Sequence, residues 1–149
     1  MGGVRVRPAL PGDAGAWVRM RSLLWPEEPE DHPPEVAAYF ADPPAEAICL
    51  VAEASDGTLV GFGEVGMRRY AEGCRTSPVG YLEGIYVDES HRRRGAARGL
   101  VMAGEAWARR LGCTEFASDR ALGNDASGAF HRAAGFDEVE RIVCYRKDL

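Results

Sequence analysis

The chain has 149 residues, of which 46% are hydrophobic and 28% charged, and it carries a formal net charge of −5. Such a length and composition suit one soluble domain with a core of its own, and no apolar run approaches the ~20 residues of a membrane helix. The acidic balance argues against nucleic acid as a partner, and the opening Met-Gly-Gly-Val-Arg-Val-Arg-Pro has no apolar signal core, so a cytoplasmic location is expected.

In chain order, Val4 to Arg7 alternates like a short strand and is ended by Pro8 and Pro11-Gly12. Asp13 is placed to cap a helix to about Leu24, with Trp17, Met20, Leu23 and Leu24 on its apolar side. Trp25-Pro26 stops it, Glu27 to Pro34 reads as an acidic exposed loop, and Glu35 to Ala41 reads as a second short helix. Ala47 to Ala54 and Thr58 to Arg69 are strands around the turn Ser55-Asp56-Gly57. After a loop from Gly73 to Pro78, Tyr81 to Val87 is rich in β-branched and aromatic residues and predicts another strand. Leu100, Val101, Gly104, Trp107, Ala108 and Leu111 then recur at the spacing of a one-sided helix, closed by Gly112. Thr114 to Ser118 is a short strand. Asn124 or Asp125 caps a helix to about Ala134, Gly135 ends it, and Val139 to Tyr145 predicts a closing strand. The expected order is βααβββαβαβ, a single α/β (α+β) domain with helices flanking a mixed sheet.

Between the strand and the long helix lies Arg92-Arg93-Arg94-Gly95-Ala96-Ala97. Small residues let a ligand approach the backbone, and the first N–H groups of a helix point at any bound anion. With three arginines added, the stretch reads as a pyrophosphate cradle. Charge is uneven elsewhere: between Ser22 and Met67 there are ten carboxylates and no Lys or Arg. That pattern suits a polyanion held at one basic spot and a cationic small molecule drawn to an acidic surface. Cys49, Cys74, Cys113 and Cys144 are far apart with no Cys-x-x-Cys, so no metal knuckle or dithiol redox site is expected. Cys49 and Cys144, in apolar runs, read as buried thiols, and Cys113 lacks an obvious base to make it a nucleophile.

The spacing Arg-x-x-Gly-x-Ala after a strand, the order of elements, and Ala133-Ala134-Gly135-Phe136 resemble the GNAT N-acetyltransferase superfamily. Met20 to Pro26, Thr76 to Val87, Glu115 to Asp119, His131 to Phe136 and Val139 to Val143 look like the aminoglycoside 6′-N-acetyltransferases of type I within it. The resemblance implies acetyl-CoA as cosubstrate, an aminoglycoside amine as acceptor, direct attack in a ternary complex, no metal, and a homodimer pairing through Val139 to Tyr145. It implies Glu83 as the base that receives the amine's proton, since an ammonium has no lone pair with which to attack. Backbone groups of Ile85 and Val87 would pair with the pantetheine arm as a neighbouring strand does, with the Val87 N–H facing the developing oxyanion. Asn124 would contact the cofactor arm. His131 stands where the family commonly has an acidic tyrosine. Trp25, Tyr70, Asp119 and Glu140 match positions around the aminoglycoside, two as flat faces and two as carboxylates. Gly-x-Ala in place of the commoner Gly-x-Gly and the acidic loop Pro26 to His32 depart from the family pattern and bear on the drug spectrum. Two alternatives stay open at this point: a GNAT enzyme for another amine, such as a polyamine or amino sugar, and a non-catalytic acyl-CoA-binding or drug-sequestering module.

Overall fold

The computed structural model describes residues 3–149. Strand β1 (Arg5–Pro8) is followed by helices α1 (Ala14–Leu24) and α2 (His32–Ala41), strands β2 (Ala47–Glu53), β3 (Leu59–Arg68) and β4 (Val79–Val87), helix α3 (Ala96–Arg110), strand β5 (Phe116–Ser118) and helix α4 (Asp125–Ala133). The sheet runs β1-β2-β3-β4-β5, antiparallel up to β4, with β5 parallel to β4. The β2–β3 turn forms as its sequence predicts: Gly57 takes φ +87°, and the Asp56 carboxylate accepts from the Thr58 N–H at 2.9 Å.

Alternation along β2 explains the layers. Cys49 and Val51 face α1 and α2 beside Trp17, Met20, Val36 and Phe62, while Leu50 and Ala52 face α3 beside Leu100, Val101, Trp107 and Ala108. The sheet is therefore buried on both sides by helices whose apolar stripes the sequence spaces at 3.6 residues. Fully burying side chains of this size contributes on the order of 1.5–3 kcal/mol each before entropy is set against it.

The structure differs from five local expectations. No closing strand forms over Val139 to Tyr145: residues 136–149 have no regular structure, and Val139, Ile142, Val143 and Tyr145 are exposed. A strand needs a partner edge, and β5 offers only three residues of one. Cys144 is consequently exposed, while Cys49 and Cys113 are buried. Asp13 does not cap α1; its carboxylate accepts two bonds from Arg7 at 2.7 and 3.1 Å, which hold it below the usual carboxylate range. Finally, the proline-rich loop condenses into a 3-10 turn at Pro29–Asp31 and α2 begins at His32, while Leu23 on α1 points outward.

Candidate active site

The site is built around an irregularity in β4. The Gly80 N–H donates to the Glu115 carbonyl, toward β5, at 3.1 Å, whereas the Asp88 N–H donates to the Val60 carbonyl, toward β3, at 2.8 Å. In a regular strand those two even-numbered residues would face the same way. The register runs from Val65↔Leu82 to Glu64↔Gly84, so Glu83 is the inserted residue of a β-bulge. Two consequences follow. Glu83 and Gly84 share the face that carries α1 and α2: a Cβ on Gly84 would lie 2.3 Å from the Trp25 ring, and one on Gly66 would lie 3.9 Å from Glu83 Oε2. Beyond the bulge, the backbone groups of Ile85 and Val87 turn away from β3 toward the edge where pairing with β5 has ended at Leu82↔Ser118. The strands part there into a fork. The Val87 carbonyl already accepts from Arg92 Nε at 2.9 Å, so along this edge the Val87 N–H and both Ile85 groups are the ones left for a ligand.

On the α1/α2 face, a cavity of about 460 Å³ is lined by six carboxylates, Glu27, Glu28, Asp31, Glu35, Glu64 and Glu83, with Arg21, Trp25 and His32. An adjoining hollow of about 370 Å³ shares Arg21, Glu35, Glu64 and Glu83. The floor is an ionic cluster. Arg21 donates to Glu35 at 2.5 Å and lies 3.4 Å from Glu64, which also accepts from the Trp17 indole at 3.3 Å. Burial pushes the Glu64 carboxyl up, and Arg21 and the Trp17 bond only partly offset it. Trp25 is seated by three contacts: the missing side chain of Gly84, the Arg21 guanidinium 5.4 Å from its ring, and His32 Nε2 donating to its carbonyl at 2.8 Å. An ammonium-bearing ligand would find a flat aromatic wall and carboxylates at several depths here.

Glu83 itself is held. Arg68 donates to both its oxygens, at 2.7 and 3.0 Å, and the same guanidinium lies 3.5 Å over the Tyr81 ring. The Tyr81 hydroxyl donates to Asp119 at 2.5 Å, and burial together with Asp119 pushes that phenol up, so it stays a donor.

At the other end of β4, Gly95 takes φ +86° with open space where a Cβ would sit, and Arg92, Arg93 and Arg94 are exposed. The first helical bond of α3 joins the Gly99 N–H to the Gly95 carbonyl, leaving the N–H groups of Ala96, Ala97 and Arg98 at the helix start for a ligand. The Ala96 side chain is buried, so this residue can offer only its backbone. Asn124 caps α4, its side chain accepting from the Ser127 N–H at 3.1 Å, as its sequence position predicts. Both His131 nitrogens are engaged: Nδ1 donates to the Ser127 carbonyl at 2.7 Å, and Nε2 lies 2.8 Å from Ser118 Oγ. Ser118 Oγ in turn sits 3.2 Å from the Leu82 carbonyl, at the crotch of the fork.

Glu83 and Trp25 thus meet in one cavity, and Asp119 connects to it through Tyr81 and Arg68. Tyr70, exposed, and Glu140, in the exposed C-terminal segment, do not line it. Glu64 and Arg68 lie outside every family-like stretch of the sequence, and Arg21 and Ser118 lie inside two of them without any feature that singles them out. A carboxylate inside the apolar run of β3 is the signal that marks Glu64.

The profile of the acetyltransferase (GNAT) family matches residues 17–136. The chain belongs to the GNAT acetyltransferase family. It is 47% identical over 146 residues, 97% of this chain and 96% of the relative, to an aminoglycoside N(6′)-acetyltransferase type 1 of Klebsiella aerogenes. Among solved structures it is similar to an aminoglycoside antibiotic 6′-N-acetyltransferase from Acinetobacter baumannii, with TM-score 0.92, 38% identity and 99% of each chain covered. Another is a GNAT-fold relative solved with the bisubstrate analogue CoA-S-monomethyl-acetylneamine, with TM-score 0.91, 35% identity, and 98% of this chain and 99% of that one covered.

Proposed function

We propose that the chain is an acetyl-CoA-dependent N-acetyltransferase that acetylates the 6′-amine of aminoglycosides by direct attack in a ternary complex, and so confers resistance to them. The observation that carries this reading is the placement of one strand, β4, between a cavity of six carboxylates and an unpaired backbone edge that leads to a basic helix start. A polycation and a polyanion are each given a surface of opposite charge, and the two surfaces meet at the bulge.

The residues present fit acetyl-CoA. The open space at Gly95, the helix-start N–H groups and Arg92, Arg93 and Arg94 suit a pyrophosphate, and the edge at Ile85 and Val87 suits an amide-bearing arm laid beside β4 where β5 has parted from it. Bound there, the cosubstrate supplies an acetyl group activated as a thioester. The protein's own work is then to bind, deprotonate and stabilise. Carboxylates of the cavity hold the ammonium groups, Trp25 gives a face to a sugar ring, and Glu83 accepts the proton of the attacking amine. The Val87 N–H donates toward the oxygen on which charge develops. His131 is placed to serve the departing thiolate: Nε2 lies 2.8 Å from Ser118 Oγ, whose own proton is donated to the Leu82 carbonyl at the fork, and transfer to the thiolate requires that bond to switch. Asn124, with its carbonyl oxygen occupied, has its amide hydrogens left for the cofactor arm. Asp119 borders the aminoglycoside site through Tyr81 and Arg68, while Tyr70 and Glu140, outside the cavity, would serve it as substrate contacts only on rearrangement or across a two-fold.

The same reading makes the enzyme a cytoplasmic homodimer. What supports the dimer is the exposed apolar series Val139, Ile142, Val143 and Tyr145 in a segment without regular structure, which pairing across a two-fold would cover while bringing Glu140 to a site. Light scattering at working concentration is expected to give twice the monomer mass, and a monomer would remove it. For the activity, release of CoA from acetyl-CoA is followed with a panel of amines. Turnover is expected with an aminoglycoside bearing a 6′-amine and not with its 6′-hydroxyl counterpart. A preference for polyamines or simple amino sugars would replace the substrate, and tight CoA binding without turnover would replace the reaction.

A further inference from the structure

A base placed beside a thioester is a hazard when no amine is bound, because water can take the amine's place. Glu83, however, is not an unpaired carboxylate. Both of its oxygens accept from Arg68 in a two-point guanidinium–carboxylate pair, at 2.7 and 3.0 Å. Arg68 is directed by a second contact, lying 3.5 Å over the Tyr81 ring, which is itself oriented by the 2.5 Å bond from its hydroxyl to Asp119. The guanidinium therefore competes with an acceptor ammonium for the same carboxylate, and does so with a seat of its own on the aromatic face.

Arg21, the guanidinium that lines the cavity, differs from Arg68, which borders it through Glu83, in the property that matters. The side chain of Arg21 is 10% exposed and bound into the Glu35–Glu64 floor, whereas the side chains of Arg68 and Glu83 are 41% and 38% exposed. A pair open to water is worth little net free energy and is readily exchanged, while a buried one is costly to break. Of the two, Arg68 is the cation that an incoming ammonium can replace. Exchange of one cation for another keeps Glu83 charge-compensated throughout, and the Tyr81 ring keeps a face for the displaced guanidinium.

We propose that Arg68 gates Glu83: in the absence of amine it blocks both carboxylate oxygens and so suppresses hydrolysis of bound acetyl-CoA, and the substrate's ammonium displaces it to release the base. Arg68 is in this sense a positioning residue, acting through Glu83, and the inference rests on the reading of Glu83 as the base. The suppressed step is balanced as follows. The oxygen of a water molecule bonds to the acetyl carbon as Glu83 takes one of its protons, and the carbon–sulfur bond breaks with its electron pair going to sulfur. The thiolate is then protonated, leaving acetate, CoA and one proton.

The test uses the full chain with acetyl-CoA and no amine, and measures release of free thiol in wild type, Arg68→Gln, Arg68→Lys, Glu83→Gln and the Arg68→Gln/Glu83→Gln double variant. Arg68→Gln is expected to raise amine-independent CoA release and to lower KM for a 6′-amino aminoglycoside, each by roughly two- to five-fold, the range over which a partly exposed ion pair competes. Arg68→Lys, which keeps the charge without the fork, should fall between wild type and Arg68→Gln. The double variant should return hydrolysis to the Glu83→Gln level. Unchanged or reduced hydrolysis in Arg68→Gln overturns the gate, and a fall in kcat with no rise in hydrolysis assigns Arg68 to merely orienting Glu83. If Glu83→Gln acetylates aminoglycosides like wild type, the base assignment and the gate fall together. If Glu83→Gln is impaired but hydrolysis ignores Arg68, only the gate falls.

Discussion

The two ligand surfaces on either side of β4 are built by opposite means. The acidic cavity depends on side chains fixed by other side chains: Glu64 by Trp17 and Arg21, Trp25 by Gly84 and His32, and Glu83 by Arg68. The cradle depends on backbone, with a glycine at positive φ, helix-start N–H groups and an unpaired strand edge, and its three arginines stand exposed around it. A surface made of interlocked side chains can be broken at single positions. A surface made of backbone is broken only by blocking or bending it, and its exposed charges share a diffuse load that salt screens.

The sharpest break is Glu83→Gln. The loss in kcat/KM for a 6′-amino aminoglycoside should lie near the ~10²–10⁴-fold that a general base contributes, with acetyl-CoA affinity nearly unchanged by calorimetry. If the lost function is proton removal, activity recovers as pH rises and free amine appears. If it is cation binding, KM carries the defect at every pH.

Next is Gly95→Asp, which should weaken acetyl-CoA binding by about ten-fold or more while leaving KM for the amine near wild type. The aspartate brings like charge to the pyrophosphate and a side chain to a backbone at φ +86°. Unchanged cofactor affinity in a folded variant would refute the cradle.

Gly84→Ala should reverse that pattern. Its Cβ would fall 2.3 Å from the Trp25 ring, so the indole must leave its seat. Raised amine KM, by roughly three- to ten-fold, is expected together with a loss of about 1–3 kcal/mol in stability from overpacking, read by denaturant melts. A wild-type KM would mean that Trp25 does not touch the amine substrate.

The smallest effect belongs to Arg93→Ala or Arg94→Ala. Each should weaken acetyl-CoA only about two- to three-fold, more at low salt than at high, because one exposed charge of several is removed. A ten-fold loss that salt does not change would show an arginine acting as a fixed part of the cradle, and would erase the contrast with the cavity.

Much of this architecture is legible in the residues. The apolar period of α3, the turn at Gly57, the Asn124 cap and the run Tyr81 to Val87 all depend on contacts within a few positions of the chain, where propensity and spacing decide. Glu83 and Trp25 are visible only through a family resemblance, since neither position is unusual for a strand or a helix end. The predicted strand over Val139 to Tyr145 shows the opposite limit. Its pattern is that of a strand, but whether it forms one depends on an edge elsewhere, and β5 ends at Ser118.

Taken alone, the sequence determined the helices, the strand runs, the glycine-marked turns and the basic start of α3, because those follow from local backbone preference and side-chain period. Only the tertiary structure decided that a bulge inserts Glu83 and resets which residues face the fork, and that Glu64 and Arg21 lie beneath the cavity. The same is true of Arg68 at residue 68, which holds a carboxylate 15 positions away across β3 and β4. These are matters of register between strands and of charges brought together from distant segments, and one residue of slip would exchange every face of the strand.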